Sequence, residues 1–207
     1  MGRRTLLSDV ERYYSCRFAE HGPSAQGVDW NSVESQELRF AQLLNVVAAE
    51  EEFSILDYGC GYGALASFLD SRGLTYCYQG FDLSEMMLEH ARQRFGGNGR
   101  RSFTSDDRAL KRCEYVVASG IFNVRLKIDE SDWLPYVLET IERLDGFAAR
   151  GFAFNMLTVY SEPARMRPDL FYGDPCFFFD MCKRRFSRDV ALLHDYGLYE
   201  FTILVRK

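Results

Sequence analysis

Two carboxylates and three glycines stand closest to chemistry in this chain. Asp57 precedes the run Gly59-Cys60-Gly61-Tyr62-Gly63, and Asp82 follows it. Glycine lets another molecule approach the main chain and admits backbone angles that other residues avoid. The run is therefore either a tight turn or a loop that touches a ligand. A carboxylate just before it attracts a cation and repels a pyrophosphate. An acidic side chain at the end of the next strand, about 20 residues on, can accept the hydroxyls of a ribose. Glycine loop and ribose carboxylate together predict a cofactor containing a nucleoside.

These residues need a frame that brings two strand ends side by side, and the pattern of the chain supplies one. "FSILDYG", "TYCYQGFD", "RSFTSD", "CEYVVAS" and "GFAFNML" read as strands. Between them "ALASFLDSRG" reads as a helix closed by Gly73, and "SEMMLEHARQRFGG" as one capped by Ser84 and ended by Gly96. "DWLPYVLETIERLDG" reads as another, with Pro135 in its first turn. Strands alternating with helices imply a parallel sheet covered on both faces. The last helix, "DPCFFFDMCKRRF", is followed by "DVALLHD" and "LYEFTILVRK", which have no room for a crossover and must be antiparallel neighbours. The expected fold is α/β: a doubly wound, seven-stranded Rossmann-like sheet with one antiparallel strand, plus an N-terminal helical lid. The expected division places the lid at 1–50 and the cofactor-binding domain at 51–207. Ser8 with Glu11, and Asn31 with Glu34, read as capping boxes opening the two lid helices.

Composition narrows the classes. With 47% hydrophobic and 27% charged residues the chain is expected to pack a core without staples. No apolar run approaches the roughly 18 residues that cross a bilayer, and the first residues become charged too soon for a signal peptide. Leu6 also breaks the myristoylation pattern. A cytoplasmic protein is expected. The six cysteines form no C-x-x-C pair, and the three histidines lie far apart, so no metal site is predicted and the cysteines read as small buried groups. A net charge of −5 argues against nucleic acid as a partner, and "KRRFSR" reads as a solvated helix end.

The local pattern leaves the cofactor open between two kinds. Gly59, Gly61 and Ala64 also satisfy the dinucleotide pattern of NAD-binding oxidoreductases. Against it stand Asp57 and the terminal antiparallel pair. The residues resemble the class I S-adenosylmethionine-dependent methyltransferases: "LDYGCGYG" is similar to their first motif, "GFDLSEMML" to the second, "FTSDD" to the third and "YVVASGIFNV" to the fourth. The resemblance covers roughly 53–205. It implies that Asp57, Tyr58 and the loop Gly59, Cys60, Gly61 and Gly63 face the methionine portion of S-adenosylmethionine. It implies Asp82, followed by Leu83, at the ribose, and Asp106 or Asp107 at the adenine amino group. Ser119, Gly120 and Phe122, with Asn123 beside them, would line the sulfonium end. The fourth motif lacks the Asn-Pro-Pro-Tyr signature of amino-group methylation on nucleic acid.

Acceptor specificity is expected from what is added to the sheet. In the N-terminal segment, Tyr13, Tyr14, Trp30 and Phe40 are apolar enough to dock as a lid. Gln36 and Arg39 share a helical face, so Arg39 reads as a clamp for the cofactor carboxylate or as a surface ion pair. The 157–188 segment is long enough to be a binding loop. Within it Tyr160, Tyr172 and the Phe177–Phe179 run bring aromatic faces toward a sulfonium, and Asn155 ends the fifth strand. Asn155, Tyr172 and Tyr160 are the catalytic candidates. A small-molecule acceptor, methylated on nitrogen or oxygen by in-line displacement, fits the absence of a basic groove. The alternative is intramolecular cyclisation releasing methylthioadenosine, as in azetidine-2-carboxylate synthases. No membrane partner is expected, and the oligomeric state stays open.

Overall fold

Alternation of side chains along the central strands decides the architecture. A computed structural model describes residues 3–48, 52–97 and 99–207. Strands β1 (Glu52–Tyr58), β2 (Thr75–Phe81), β3 (Arg101–Thr104), β4 (Cys113–Ala118), β5 (Ala148–Leu157), β6 (Asp189–Leu193) and β7 (Glu200–Arg206) form one sheet. Its order is β3-β2-β1-β4-β5-β7-β6. The first five are parallel, and β7 lies antiparallel between β5 and β6. Leu56, Val116, Phe152, Phe154, Ile203 and Val205 point to one face, against Trp133, Val137, Ile141 and Leu144 of helix α5 and Phe178 and Cys182 of α6. Ile55, Tyr115, Val117, Ala153 and Leu204 point to the other, against Phe40 and Leu43 of α2, Leu65 and Leu69 of α3, and Leu88 and Ala91 of α4. With both faces covered, the strands carry apolar side chains at consecutive positions.

The helices are α1 (Arg3–His21), α2 (Val33–Leu44), α3 (Ala64–Ser71), α4 (Glu85–Phe95), α5 (Glu130–Phe147) and α6 (Pro175–Arg185). Helix α1 lies over the carboxyl edge of the sheet: Val10 joins the core beneath it and Phe18 packs with Tyr62 and Met87. The switch in strand order falls between β1 and β4, so the loops after these strands flank a crevice.

Several boundaries differ from expectation. Helix α1 starts before Ser8, which is inside it, so the Ser8 box caps nothing. Ser32, not Asn31, caps α2, its hydroxyl accepting from the Ser35 N–H at 3.1 Å. Ser84 precedes α4 without capping it, because its hydroxyl is engaged with Ser15 at 2.7 Å. Pro135 lies in the second turn of α5 on the exposed side, where its missing N–H leaves a carbonyl that water can reach. Only Cys60, Cys113 and Cys182 are buried; Cys16, Cys77 and Cys176 are exposed. Among the described residues no helix is long and apolar enough to cross a membrane.

Candidate cofactor and acceptor cavity

The loop after β1 is shaped from within before any ligand is considered. Gly59 has φ +90°, and a Cβ there would meet Ile121 Cγ2 at 2.2 Å, so only glycine fits between β1 and the loop after β4. Its N–H and that of Cys60 both donate to the Phe81 carbonyl, at 2.7 and 2.9 Å, which ties the loop to the end of β2. Gly61 donates to Asp82 Oδ2 at 2.8 Å, and Ser84 N–H donates to Oδ1 at 2.9 Å. The carboxylate therefore holds its own strand end and the glycine loop while one edge still faces the cavity. Burial raises the Asp82 acid, and the N–H groups of Ser84, Gly61 and Leu83 hold it down.

Asp57 is 3% exposed at the end of β1. Tyr78 donates its hydroxyl to Oδ2 at 2.7 Å. Desolvation pushes this acid up to about 7, against the Tyr78 bond that lowers it and with the Asp82 charge that raises it. A carboxyl in this state lacks a cation, and an ammonium beside it would restore its charge. Ser119 Oγ, at the end of β4, is buried with no hydrogen-bond partner among the described residues, a second group that a ligand would satisfy.

These residues border a cavity of about 770 Å³, within the usual range for small-molecule sites. Of the predicted cofactor residues, Asp57, Tyr58, Gly59, Cys60, Gly61, Asp82, Leu83, Asp106, Asp107, Ser119, Gly120 and Tyr14 line it. Asp106 spends both oxygens on Arg108, which lowers its acid, whereas Asp107 gives one oxygen to Arg143 at 2.6 Å. The Tyr14 hydroxyl is driven by burial far above the usual tyrosine range, so it stays neutral.

Seven predicted residues lie outside the lining, among them Asn123, which is buried with its Oδ1 accepting from the Leu157 N–H at 3.1 Å. Gly63 precedes α3 as its N-cap at φ +84°, where a Cβ would strike the Phe95 ring at 2.9 Å, so packing by itself requires glycine there. Phe122 is fully buried in the core, its carbonyl accepting from Trp133 Nε1 at 3.0 Å. Arg39 forms the ion pair that was its alternative reading, buried rather than on the surface, with its guanidinium against Glu200. Asn155 has no exposure, and both ends of its amide are used within the protein. Tyr160 is 67% exposed beside His194, and the Tyr172 hydroxyl accepts from Arg167 N–H at 2.9 Å. The 158–173 excursion contributes nothing to the lining: Thr158 is bridged to Gly173 at its base, and Leu170 is bridged to Val124 in the loop after β4.

In their place the cavity takes Leu7, Val10 and Glu11 from α1, Ile121 from the loop after β4, and Tyr136 and Arg143 from α5. Leu7, Glu11 and Tyr14 recur at helical spacing, a signal present in the sequence. Nothing in the sequence shows which helix face meets the crevice at α5.

Comparison with known proteins agrees with this geometry. A family model described as a methyltransferase domain matches residues 55–130. Rv1506c of Mycobacterium tuberculosis (strain ATCC 25618 / H37Rv), a protein provisionally named as a methyltransferase, is 52% identical over 164 residues, 79% of this chain and 99% of that protein. Among solved structures, DhpI in complex with SAH superposes with a TM-score of 0.65 at 13% identity, over 99% of this chain and 98% of that one. Human N-acetylserotonin methyltransferase in complex with SAM gives 0.64 at 18%, over 100% and 60%. Magnesium protoporphyrin IX methyltransferase from Synechocystis PCC 6803 with bound SAH gives 0.61 at 16%, over 99% and 97%.

Proposed function

The chain belongs to the class I S-adenosylmethionine-dependent methyltransferases, and from that premise we propose that it methylates a small molecule, on nitrogen or oxygen, inside the cavity beneath α1. The observation that carries this reading is the cavity's lining. Leu7, Val10, Tyr14, Ile121 and Tyr136 make an apolar wall, and the ionisable groups are mostly carboxylates, with Arg108 and Arg143 engaged by Asp106 and Asp107. Such a site disfavours a phosphate backbone. It suits a compact acceptor without anionic charge. That N-acetylserotonin and magnesium protoporphyrin IX methyltransferases share the fold is consistent with a small acceptor.

The residues present fit S-adenosylmethionine. Asp57 would bind the ammonium, the 59–61 backbone the methionine chain, Asp82 the ribose hydroxyls, and Leu83 with Asp107 the adenine. Ser119 and Gly120 would border the sulfonium. The cofactor supplies an electrophilic methyl group on a positively charged sulfur. The protein's part is to hold the acceptor's lone pair in line with that carbon and to exclude water. Tyr14 stays protonated and Asp57 would be engaged by the ammonium, so neither is offered as a general base. Acceptors that are already nucleophilic fit best.

Incubation with S-adenosylmethionine, with and without a panel of small amines, phenols and thiols, tests this. Acceptor-dependent S-adenosylhomocysteine is expected by mass spectrometry. Methylthioadenosine formed from the cofactor alone, faster than its spontaneous breakdown, would replace methyl transfer by cyclisation.

A further inference from the structure

An ion pair sealed in the interior touches two walls of the cavity without reaching the cavity itself. The Arg39 and Glu200 side chains are 8% and 1% exposed. They meet as a fork, Nε to Oε2 at 2.8 Å and Nη2 to Oε1 at 2.7 Å, while Nη1 donates to the Ser35 carbonyl at 2.7 Å. Glu200 Oε2 accepts a second bond from Asn155 Nδ2 at 2.7 Å. That bond decides which way the Asn155 amide faces, because a carboxylate takes only the NH₂ end. The carbonyl end is thereby turned to the Gly120 N–H, which donates to Oδ1 at 2.8 Å.

The same guanidinium lies 4.0 Å from the centre of the Trp30 ring. Trp30 in turn lies so close over Gly120 that a Cβ there would be 2.4 Å from the ring. Trp30 and Gly120 line the cavity; Arg39, Glu200 and Asn155 do not. A buried ion pair is often no more stabilising than apolar residues of the same size, so fold stability alone does not account for it.

We infer that Arg39, Glu200 and Asn155 are positioning residues: a buried relay that orients the Asn155 amide, fixes the Gly120 peptide and seats Trp30, and so sets the shape of the cofactor cavity from helix α2 and strand β7. This rests on the cavity being the cofactor site. One readout of the relay does not: the amide signal of Gly120 in ¹⁵N-glycine-labelled protein without ligand.

The test compares wild type with E200Q, N155L and the apolar pair R39M/E200M, measuring the Gly120 amide, thermal stability and S-adenosylhomocysteine affinity. The paired apolar variant is expected to melt near wild type. Its Gly120 amide should nonetheless shift and exchange faster, and its affinity should fall about tenfold. E200Q and N155L should show the same two losses, and R39K, which keeps the charge but not the fork, should not rescue them. If single variants fail to fold, hydrogen exchange at Gly120 in wild type decides: protection as low as that of solvent-exposed loop amides overturns the relay. A stable R39M/E200M protein with wild-type affinity and an unmoved Gly120 signal would reduce it to packing. Wild type that shows a protected Gly120 but no binding would refute the cofactor reading and leave the relay standing.

Discussion

At Asp57 the site should be sensitive to pH in two opposite senses. Without ligand its acid is raised to about 7 by burial, so below that pH the carboxyl is neutral and cannot pair with an ammonium. Affinity for S-adenosylhomocysteine should be flat above pH 8 and weaken about tenfold per unit below about 7. Calorimetry across pH 5–9 checks this, and D57N should bind weakly with no such slope. Tyr78→Phe removes the bond that lowers the acid, so its midpoint should move up. Stability runs the other way. The folded acid lies above its unfolded value, so Asp57's contribution is present below about pH 4 and lost as pH rises through 7. The ligand-free wild type should therefore lose melting temperature relative to D57N across that window. Asp82→Ala removes the acceptor for two N–H groups and for the ribose; about 1.5–3 kcal/mol for charge-assisted bonds makes the expected loss ten- to a hundredfold. Unchanged affinity would leave Asp82 as a strand end only.

Among the elements, α1 and α2 behave differently although they are neighbours in sequence. Helix α1 is held over the cavity by polar contacts: Ser15 with Ser84, Tyr13 with Asp29 Oδ2 at 2.8 Å, and Arg17 with Asp29 Oδ1 at 3.3 Å. Its apolar anchors are few. We propose that α1 is the lid and that α2, whose Phe40 and Leu43 belong to the core beneath β1 and β4, is part of the domain. Removal of residues 1–28 should leave a cooperatively folding protein with weakened cofactor affinity. Removal of residues 1–50 should abolish folding, because it strips buried Phe40, Leu43 and Val46 and leaves the Glu200 charge without Arg39. An unpaired buried charge alone costs about 3–5 kcal/mol, a large share of a domain's stability. Circular dichroism melts of both truncations check the boundary; normal binding by the shorter truncation would assign α1 to another role.

For the whole molecule, the cofactor should act as a stabiliser of the native state. A ligand at a hundred times its dissociation constant adds about 2.7 kcal/mol, which in a chain of this size raises the melting temperature by roughly 5–10 °C. S-adenosylhomocysteine should produce that shift and NAD none, measured by calorimetric scanning. Tight NAD binding without a response to S-adenosylhomocysteine would contradict the site's charge, since an ionised Asp57 beside the glycine loop repels a pyrophosphate.

The crevice and its carboxylates were legible because their geometry is local. Asp57, the glycine loop and Asp82 lie within one strand-helix-strand unit, where chain spacing alone brings both strand ends together. The alternating pattern likewise determined seven strands, two covered faces and an antiparallel close. What the sequence could not contain was the partner of a side chain across long separations. Arg39 and Asn155 were recognisable as polar residues at a helix face and a strand end, Asn155 expected to face a ligand and Arg39 to face one or to make a surface ion pair. The insertion of β7 between β5 and β6 carries Glu200 to meet them, 161 residues from Arg39 and 45 from Asn155. That placement gives both side chains buried bonds within the protein. The face of α1 over the crevice and that of α5 beside it were settled in the same way, by the tertiary packing of each helix on the sheet.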